Sequence, residues 1–292
     1  MENRPSSIIN VAPAWSKGEL KRLGEALFSG TATPEQHARY NEVMLWHNEL
    51  AAEVAATLYT TDWQACPSEL FDITARPKTI DTLIQKLQRE RSMSLDEVQD
   101  LAGVRIDADI DLKVQTALAE EIATHFGERS RIRDMRENPH SGYRAVHVWL
   151  RLPAGRVEVQ IRTVPQSEWA NTYERLGDRY GRGIRYGASA EDDEARELVE
   201  RMHKMSAALA SSEESTVELA QLEDELHQLK ERLAEMRPLA RASGPINHRR
   251  VSKALDRTFR KAEETRTRLN QHRDSYLQML REMRSMLDTD GS

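Results

Sequence analysis

Two alternating segments joined by a short turn, within residues 141–163, constrain the fold of this chain more than any other feature. The stretch reads SGYRAVHVWLRLPAGRVEVQIRT, with a Pro-Ala-Gly turn between the two segments. Because successive strand residues point to opposite faces, the second segment has an apolar side and a side carrying Glu158, Gln160 and Arg162. His147 likewise lies opposite the valines of the first segment. The pattern predicts a β-hairpin whose polar face is either a functional site or an ordinary solvent-facing surface.

Composition narrows the function classes. The chain has 292 residues and a formal net charge of −6, so it is not a bulk nucleic-acid binder, and any RNA contact requires a local basic patch. The single cysteine, Cys66, excludes a disulfide framework and a Cys-based zinc site. Because no apolar run approaches about 18 residues and no signal peptide is evident, we expect no membrane association and a cytoplasmic location.

The order of periodic segments predicts an α+β fold with three regions. Residues 1–66 are expected to be helical, with capping boxes that begin at Ser16 and Thr33. Residues 67–190 mix helices with strands, including helices near 77–87 and 94–103, a strand at 104–110 and a helix that ends at Gly127. Residues 191–292 are expected to be helical and coiled-coil-like.

The last region carries an apolar seam that recurs three and four residues apart from Leu219 to Met236, with a break expected at Pro238. A Gly-Pro turn and a second long helix, 248–287, follow. This order predicts an antiparallel helical hairpin. It is either a solvated structural appendage or a surface for a second copy or a partner protein.

Two further stretches carry residues suited to phosphate and metal chemistry. Arg76 and Lys78 precede a predicted helix on which Thr82 and Lys86 lie one turn apart, an arrangement that favours phosphate binding over an ordinary charged surface only in combination with other motifs. No P-loop motif occurs. Asp100 lies just before a strand, where it is a cap or, with a second carboxylate, a hard oxygen ligand for Mg²⁺.

Five motifs in one order, within about residues 70–176, resemble the synthetase domain of the RelA/SpoT family. They read RPK…T…K, QDLAGVRI, GYRAVH, VEVQIRT and WANTYE. The resemblance implies a mixed sheet of the nucleotidyltransferase-like type flanked by helices. It also implies transfer of pyrophosphate from ATP to a ribose 3′-hydroxyl with Mg²⁺ as cofactor.

The resemblance assigns roles by position. It implies that Arg76 and Arg105 sandwich the adenine of ATP, and that Lys78, Thr82 and Lys86 bind its phosphates. Asp100 and Glu158 become the catalytic and metal-binding carboxylates, with Glu158 as metal ligand or as activator of the attacking hydroxyl. The residues expected on the acceptor side are Tyr143, which stacks on the acceptor base, with Arg144, His147, Gln160 and Arg162.

Departures from the long family members indicate the subgroup. No adjacent His-Asp pair of a hydrolase domain occurs, and Tyr173-Glu174 replaces the Glu-His that nucleotide-making members commonly have. The chain is more similar to the toxic small alarmone synthetases of toxin–antitoxin and phage-defence loci. That similarity implies a toxin that modifies the tRNA 3′-CCA end, with an antitoxin or a second copy as partner. The alternatives are a synthetase of guanosine or adenosine alarmones and an inactive RNA- or partner-binding relative.

A tRNA acceptor requires local positive charge, which two arginine clusters supply. The first cluster consists of Arg129, Arg131, Arg133 and Arg136. The second consists of Arg175, Arg179, Arg182 and Arg185. Each cluster is either an RNA contact or a surface helix or loop whose charge is balanced by neighbouring carboxylates.

Overall fold

The computed structural model of the chain describes residues 7–77, 83, 94–190, 192–242 and 248–289. The helix expected near 77–87 therefore lies outside the described residues except for Leu83, as does the Gly-Pro turn. The chain divides into two compact units. The first comprises Met1–Ile110, Val114–Pro139 and Arg144–Val164, and the second Asp111–Lys113, His140–Tyr143 and Pro165–Ser292.

The first unit begins with two helices, α1 (Lys17–Ser29) and α2 (Pro34–Thr60). Both predicted capping boxes are confirmed: the Ser16 hydroxyl and the Glu19 carboxylate satisfy each other's backbone N–H groups, and Thr33 and Gln36 do the same. Helix α1 ends where Gly30 takes a left-handed φ of 67°.

A five-stranded mixed sheet forms the centre of the first unit. Its strands are β1 (Phe71–Pro77), β2 (Ala102–Ala108), β3 (Arg131–Asp134), β4 (Val146–Leu152) and β5 (Gly155–Thr163). Their order is β1-β2-β5-β4-β3, with β2 and β5 parallel and the other neighbours antiparallel. The α+β class, the hairpin and the strand after Asp100 are confirmed. Neither β1 nor β3 is predicted by the sequence pattern.

One face of the sheet is the apolar core of the first unit. Val104, Ile106 and Ile161 are completely or almost completely buried on that face together with Leu50 and Leu118. Leu50 belongs to α2, and Leu118 belongs to α3 (Leu112–His125). The two helices therefore cover the apolar face and leave the residues of opposite parity on the other face.

The helix expected at 94–103 is wrong. The Ser94/Glu97 capping box is present, but it begins only a 3₁₀ turn at Leu95–Glu97. Strand β2 already starts at Ala102 because the following Gly103 pairs with both β1 and β5. A β-carbon at Gly103 would lie 3.1 Å from the Arg76 carbonyl oxygen, so glycine allows the close approach of β1. The chain turns at Gln99 and Asp100 into the sheet, so the 3₁₀ turn does not continue as an α-helix.

The second unit is helical. It contains α4 (Val164–Tyr180), a 3₁₀ segment (Arg182–Tyr186), α5 (Asp193–Ala242) and α6 (His248–Thr289). The His227 and Phe259 ring centroids lie 4.9 Å apart, and Glu223 pairs with Arg266, which is the register of two antiparallel helices. The predicted hairpin is confirmed.

Helix α5 continues through Pro238 to Ala242, so the break expected at Pro238 concerns the apolar seam and stays a prediction. A proline removes one main-chain hydrogen bond and costs about 3 kcal/mol inside a helix. The penalty does not end this helix, because the residues on both sides of Pro238 are leucine, alanine, arginine and glutamate, which favour helix. None of the described helices is long and apolar enough to span a membrane.

Helix α4 is packed onto the helical hairpin. Trp169 is 3% exposed and donates its indole N–H to the Met202 carbonyl at 2.7 Å, so it packs in the interior of the second unit. The Thr172 hydroxyl donates to the Leu280 carbonyl at 3.2 Å. Arg281 and Arg284 both bind the Glu168 carboxylate, at 2.9 and 3.0 Å.

Candidate active site

The strand register gathers polar side chains on the face of the sheet opposite the apolar core. Residues paired across neighbouring strands share a face, so each row runs across all five strands. One row consists of Arg76, Gly103, Glu158, Trp149 and Arg131. The adjacent row consists of Thr74, Arg105, Gln160, His147 and Arg133. The hairpin residues singled out by the sequence therefore lie together near the middle of one polar face.

Glu158 is the centre of a hydrogen-bond network on this face. Its side chain is buried, with 8% of the residue exposed. Trp149 donates its indole N–H to Oε1 at 3.0 Å, and the Gln160 amide donates to Oε2 at 2.8 Å. His147 Nδ1 lies 3.3 Å from Oε1. Among the described residues, the carboxylate is thus held in place by side chains of β4 and β5.

These contacts decide the protonation state of Glu158. Burial by itself raises the pKa of the carboxyl group, but the hydrogen bond and charge of His147, with the hydrogen bonds from Gln160 and Trp149, outweigh burial and lower the pKa to about 2. Glu158 is therefore ionised at any physiological pH. A base with so low a pKa is poorly matched to proton abstraction near pH 7, so the arrangement favours a charge-stabilising or metal-binding role.

A second buried charge extends the network along β5. Arg162 is 2% exposed, and its guanidinium donates to the Gln160 Oε1 at 3.1 Å. Gln160 therefore accepts from Arg162 and donates to Glu158, which fixes the orientation of its amide. The register sets Asp107 of β2 beside Arg162. The predicted residues Glu158, Gln160 and Arg162 form one continuous chain of contacts.

Trp149 is a functional candidate to which the sequence motifs assign no role. It donates to Glu158, and the Arg133 guanidinium lies 4.8 Å from the centroid of its ring. The available signal was its position on the polar side of the hairpin, two residues after His147, where an aromatic side chain has no apolar core to enter. Trp149 connects the central carboxylate with the arginines of the edge strand β3.

The turn that carries Asp100 is tied to the hairpin by its neighbour. Gln99 is buried, and its amide donates to the carbonyls of Leu150 at 3.3 Å and Val157 at 2.9 Å. Asp100 is half-buried two residues before β2, whose Gly103 is paired with Glu158. The packing of Gln99 therefore fixes the base of the turn against the strand that carries the second carboxylate.

The first arginine cluster divides into exposed and internal members. Arg129, Arg131 and Arg133 are exposed on or beside β3, a strand where the sequence suggested a helix or loop. Arg131 donates to the Glu128 and Ser130 carbonyls at 2.9 and 2.8 Å. Arg136 instead binds Asp134 at 2.5 Å, Gln115 at 3.0 Å and Thr116 at 2.8 Å, which joins β3 to α3. Burial raises the pKa of Asp134, but the hydrogen bonds and charge of Arg136 outweigh burial and lower it.

Tyr143 and the second cluster belong to the second unit. Gly142, with a φ of 82°, packs so closely that an added β-carbon would lie 2.8 Å from the Trp169 ring, and its carbonyl accepts from the Ser206 hydroxyl at 2.5 Å. Among the arginines, Arg175 binds Asp288 at 2.6 Å. Arg182 and Arg185 lie 3.4 and 2.9 Å from Asp178, and Arg179 lies 5.3 Å from the Tyr180 ring centroid.

Comparison with known proteins decides the family. Residues 75–178 match the region found in RelA/SpoT proteins. The chain belongs to the RelA/SpoT family of pyrophosphokinases. Glu158 and its contacts Trp149, Gln160 and His147 lie within the matched region.

The relatives of this RelA/SpoT protein include mycobacterial and Bacillus proteins. It is 52% identical over 219 residues to the uncharacterized protein Rv1366 of Mycobacterium tuberculosis, covering 72% of this chain and 79% of the relative. It is 30% identical over 143 residues to the GTP pyrophosphokinase YjbM of Bacillus subtilis, covering 44% of this chain and 65% of that enzyme. Small alarmone synthetase 1 from Bacillus subtilis, solved bound to its product pppGpp, matches with 21% identity and a TM-score of 0.48 over 63% of this chain and 97% of that chain.

Part of the predicted RelA/SpoT donor site is described. Arg76 is exposed on β1, rather than on a segment that merely precedes a helix, and Arg105 is half-buried on β2. Lys78, Thr82 and Lys86 lie outside the described residues, so their phosphate-binding roles stay predictions. Arg144 is buried in the first unit beside Asp134, whose pKa it helps to lower.

The carboxylates are compatible with Mg²⁺. Within the described part of the chain, no group of three or more histidine, cysteine, aspartate or glutamate side chains could hold a metal ion. Mg²⁺ in phosphoryl-transfer sites commonly takes only one or two carboxylates and completes its shell with substrate phosphates and water. Asp100 and the ionised Glu158 are the type of donor that such an ion takes, and their binding of Mg²⁺ stays a prediction.

Proposed function

We propose that this pyrophosphokinase transfers pyrophosphate from ATP to the 3′-hydroxyl of the tRNA 3′-CCA end and thereby acts as a growth-inhibiting toxin that blocks translation. One observation carries the choice of acceptor. The exposed Arg131 and Arg133 of the edge strand β3 lie on the same sheet face as Glu158. Cations that continue from the reacting centre to the rim of the sheet suit an acceptor that extends beyond one nucleotide.

The proposed chemistry depends on charge and position rather than on covalent catalysis. Pyrophosphate transfer needs in-line placement of the hydroxyl and compensation of phosphate charge. Arg76 and Arg105 would orient the adenine, while Asp100 and Glu158 would hold Mg²⁺, which polarises the attacked phosphate when bound. Because the pKa of Glu158 is about 2, its contribution is a fixed negative charge aimed at the metal or the acceptor hydroxyl.

The acceptor side is built from the rest of the polar face. Gln160 and Arg162 are rigid because each contacts its neighbour, so they would present a fixed donor pattern to the acceptor's ribose and phosphate. The resemblance also assigns Arg144 to the acceptor and expects Tyr143 to stack on the acceptor base, and both roles stay predictions. The second arginine cluster supports the proposal less, because Arg175, Arg182 and Arg185 already have carboxylate partners.

A guanine nucleotide is the second candidate acceptor. The observation in its favour is the 30% identity with YjbM, which is named a GTP pyrophosphokinase. In that case the chain would make a guanosine alarmone, and the arginines of β3 would contact the 5′-phosphates of a free nucleotide or be surface charge. Adenine nucleotides are the corresponding acceptors of an adenosine alarmone synthetase.

Parallel transfer assays separate these acceptors. Purified protein with γ-labelled ATP and Mg²⁺ is given deacylated tRNA, GDP or GTP, and AMP, with the Asp100→Ala, Glu158→Ala double variant as blank. We expect label on tRNA that is released when its 3′-terminal adenosine is removed. Label on a free nucleotide alone would overturn the tRNA proposal in favour of an alarmone synthetase. No label on any acceptor would favour an inactive RNA- or partner-binding relative.

The proposed toxin requires a partner that restrains it, and we assign this role to an antitoxin protein or to a second copy of the chain. Leu222 and Leu229 on α5 support the assignment. They belong to the apolar seam, yet the side chain of each is more than two-fifths exposed. The substrates, ATP and tRNA, place the proposed activity in the cytoplasm. Co-purification of the full chain with its neighbours, repeated with Leu222→Gln and Leu229→Gln, tests whether the seam is the contact.

A further inference from the structure

The first half of α6 is strongly basic. Residues 248–261 contain six lysines and arginines and a single acid, Asp256, although the whole chain is acidic. The cations recur three, four and seven residues apart, which places them along one side of the helix. This basic stripe, as we call it, consists of Arg250, Lys253, Arg257, Arg260, Lys261 and Arg268.

The stripe faces away from the helical hairpin. Leu255 and Ala262 are 7% and 5% exposed, and they form the side of α6 that packs in the hairpin together with Phe259. The cations of the stripe lie on the opposite side, and every one of them is exposed. One acid, Glu264, interrupts the stripe near its end.

Three arginines of α6 outside the stripe are already neutralised. Arg266 pairs with Glu223, while Arg281 and Arg284 bind Glu168. Among the described residues, by contrast, no carboxylate pairs with a cation of the stripe. Arg260 contacts only the Asp256 carbonyl at 3.4 Å, and Arg268 only the Thr265 hydroxyl at 3.2 Å. The helix therefore separates cations that stabilise the fold from cations that are available to a partner.

We propose that the basic stripe of α6 binds the phosphodiester backbone of RNA, and specifically the body of the tRNA whose 3′ end is the proposed acceptor. This inference rests on the proposed function for the identity of the RNA. The first and last cations of the stripe are 18 positions apart, or about 27 Å at 1.5 Å per residue, so several successive phosphates meet it. Regularly spaced, unpaired cations are complementary to such a repeating polyanion and give sequence-independent affinity.

A membrane surface fits less well. A helix that binds an anionic bilayer also buries a free apolar face in it. Over the stripe, the apolar side of α6 is occupied by the hairpin, as the burial of Leu255 and Ala262 shows. The remaining alternative partner is the acidic helix of a second copy, since α5 carries many exposed glutamates. The binding experiment distinguishes this partner from RNA.

Equilibrium binding without ATP tests the stripe independently of catalysis. Deacylated tRNA is titrated with the full chain, with Lys253→Gln, Arg257→Gln, Arg260→Gln as the stripe variant, and with Arg201→Gln, Lys204→Gln, Arg232→Gln as the control. The control removes one lysine and two arginines that are likewise exposed, but on α5. Circular dichroism checks that both variants keep their helicity.

We expect the stripe variant to bind tRNA at least 10-fold more weakly, and its slope of log affinity against log salt to fall by about 2 to 3 because three phosphate contacts are lost. The control should bind like the unmodified chain. Equal weakening of both variants, unchanged binding by the stripe variant, or no tRNA binding by the unmodified chain would overturn the inference. Loss of self-association in light scattering with tRNA binding intact would overturn it in favour of a second copy. If the stripe binds tRNA but no label is transferred to tRNA, the proposed function fails and RNA binding stands.

Discussion

At the scale of single residues, Glu158 shows how neighbours reverse the effect of burial. A buried carboxyl group on its own is expected to protonate more readily than one in water. Here the donors Trp149, Gln160 and His147 surround it, and the pKa falls to about 2. The alternation of the hairpin is enough to place those side chains together, but the sequence does not say that Trp149 completes the set.

The lowered pKa predicts a particular pH dependence of stability. Since the folded pKa of Glu158 lies below the ordinary 4.5, the folded chain holds fewer protons there than the unfolded chain does, and the stabilisation is present above about pH 4.5 and is lost as the pH falls towards 2. We expect the difference in free energy of unfolding between the unmodified chain and Glu158→Gln to be constant at neutral pH and to narrow below about 4.5. Denaturant titrations from pH 7 to 3 measure it, with Glu128→Gln as an exposed control. A gap that widens in acid would contradict the account.

Among the secondary-structure elements, hydrophobic periodicity predicts some strands of the sheet and misses others. Strands β4 and β5 have long runs with one apolar and one polar side, so their period is plain. Strand β3 has four residues, of which only Ile132 is apolar, and that side chain is 41% exposed at the sheet edge. Edge strands bury little, and hydrophobic periodicity therefore does not detect them. The segment that carries the arginines of β3 was therefore expected to be a surface helix or loop.

Because β4 pairs with β5 and brings Trp149 to Glu158, we predict that Trp149 affects catalysis as well as stability. In Trp149→Phe, a ring remains beside Arg133, but Glu158 loses one hydrogen bond. We expect about 1 kcal/mol of lost stability, roughly 10-fold slower pyrophosphate transfer, and an upward shift of the pH at which the Glu158 stabilisation disappears. Trp46→Phe is the matched control, because Trp46 also loses an indole bond, 2.9 Å long, to the Ala154 carbonyl. Equal loss of activity in both variants would leave Trp149 with a structural role alone.

Over the whole chain, the helical hairpin packs against α4. The sequence correctly indicates two antiparallel helices, but the contacts of Thr172 with Leu280 and of Glu168 with Arg281 join residues more than 100 positions apart. No periodicity in either segment encodes such pairings. The expectation of a separate region from 191 onward stays a prediction, and a truncation there would remove the packing partner of Trp169.

This packing predicts where the hairpin is sensitive to mutation. Leu280 is completely buried between α4 and the hairpin, so Leu280→Ala should cost about 2–5 kcal/mol in free energy of unfolding. Met286, on the same helix, is 66% exposed, and Met286→Ala should change stability by no more than about 0.5 kcal/mol. Chemical denaturation of the full chain compares the two. Similar small effects would favour a hairpin that is only an appendage.

Pyrophosphate transfer by the polar sheet face around Glu158 leaves AMP from ATP, whereas transfer of a single phosphate leaves ADP. The identity of the remaining adenine nucleotide therefore tests whether this face carries out the reaction. With a competent acceptor, the account predicts AMP in a 1:1 ratio to transferred label, a loss of roughly 10²-fold or more in Glu158→Gln, and normal turnover in the exposed control Glu128→Gln. Formation of ADP in place of AMP, or undiminished AMP formation by Glu158→Gln, would contradict it.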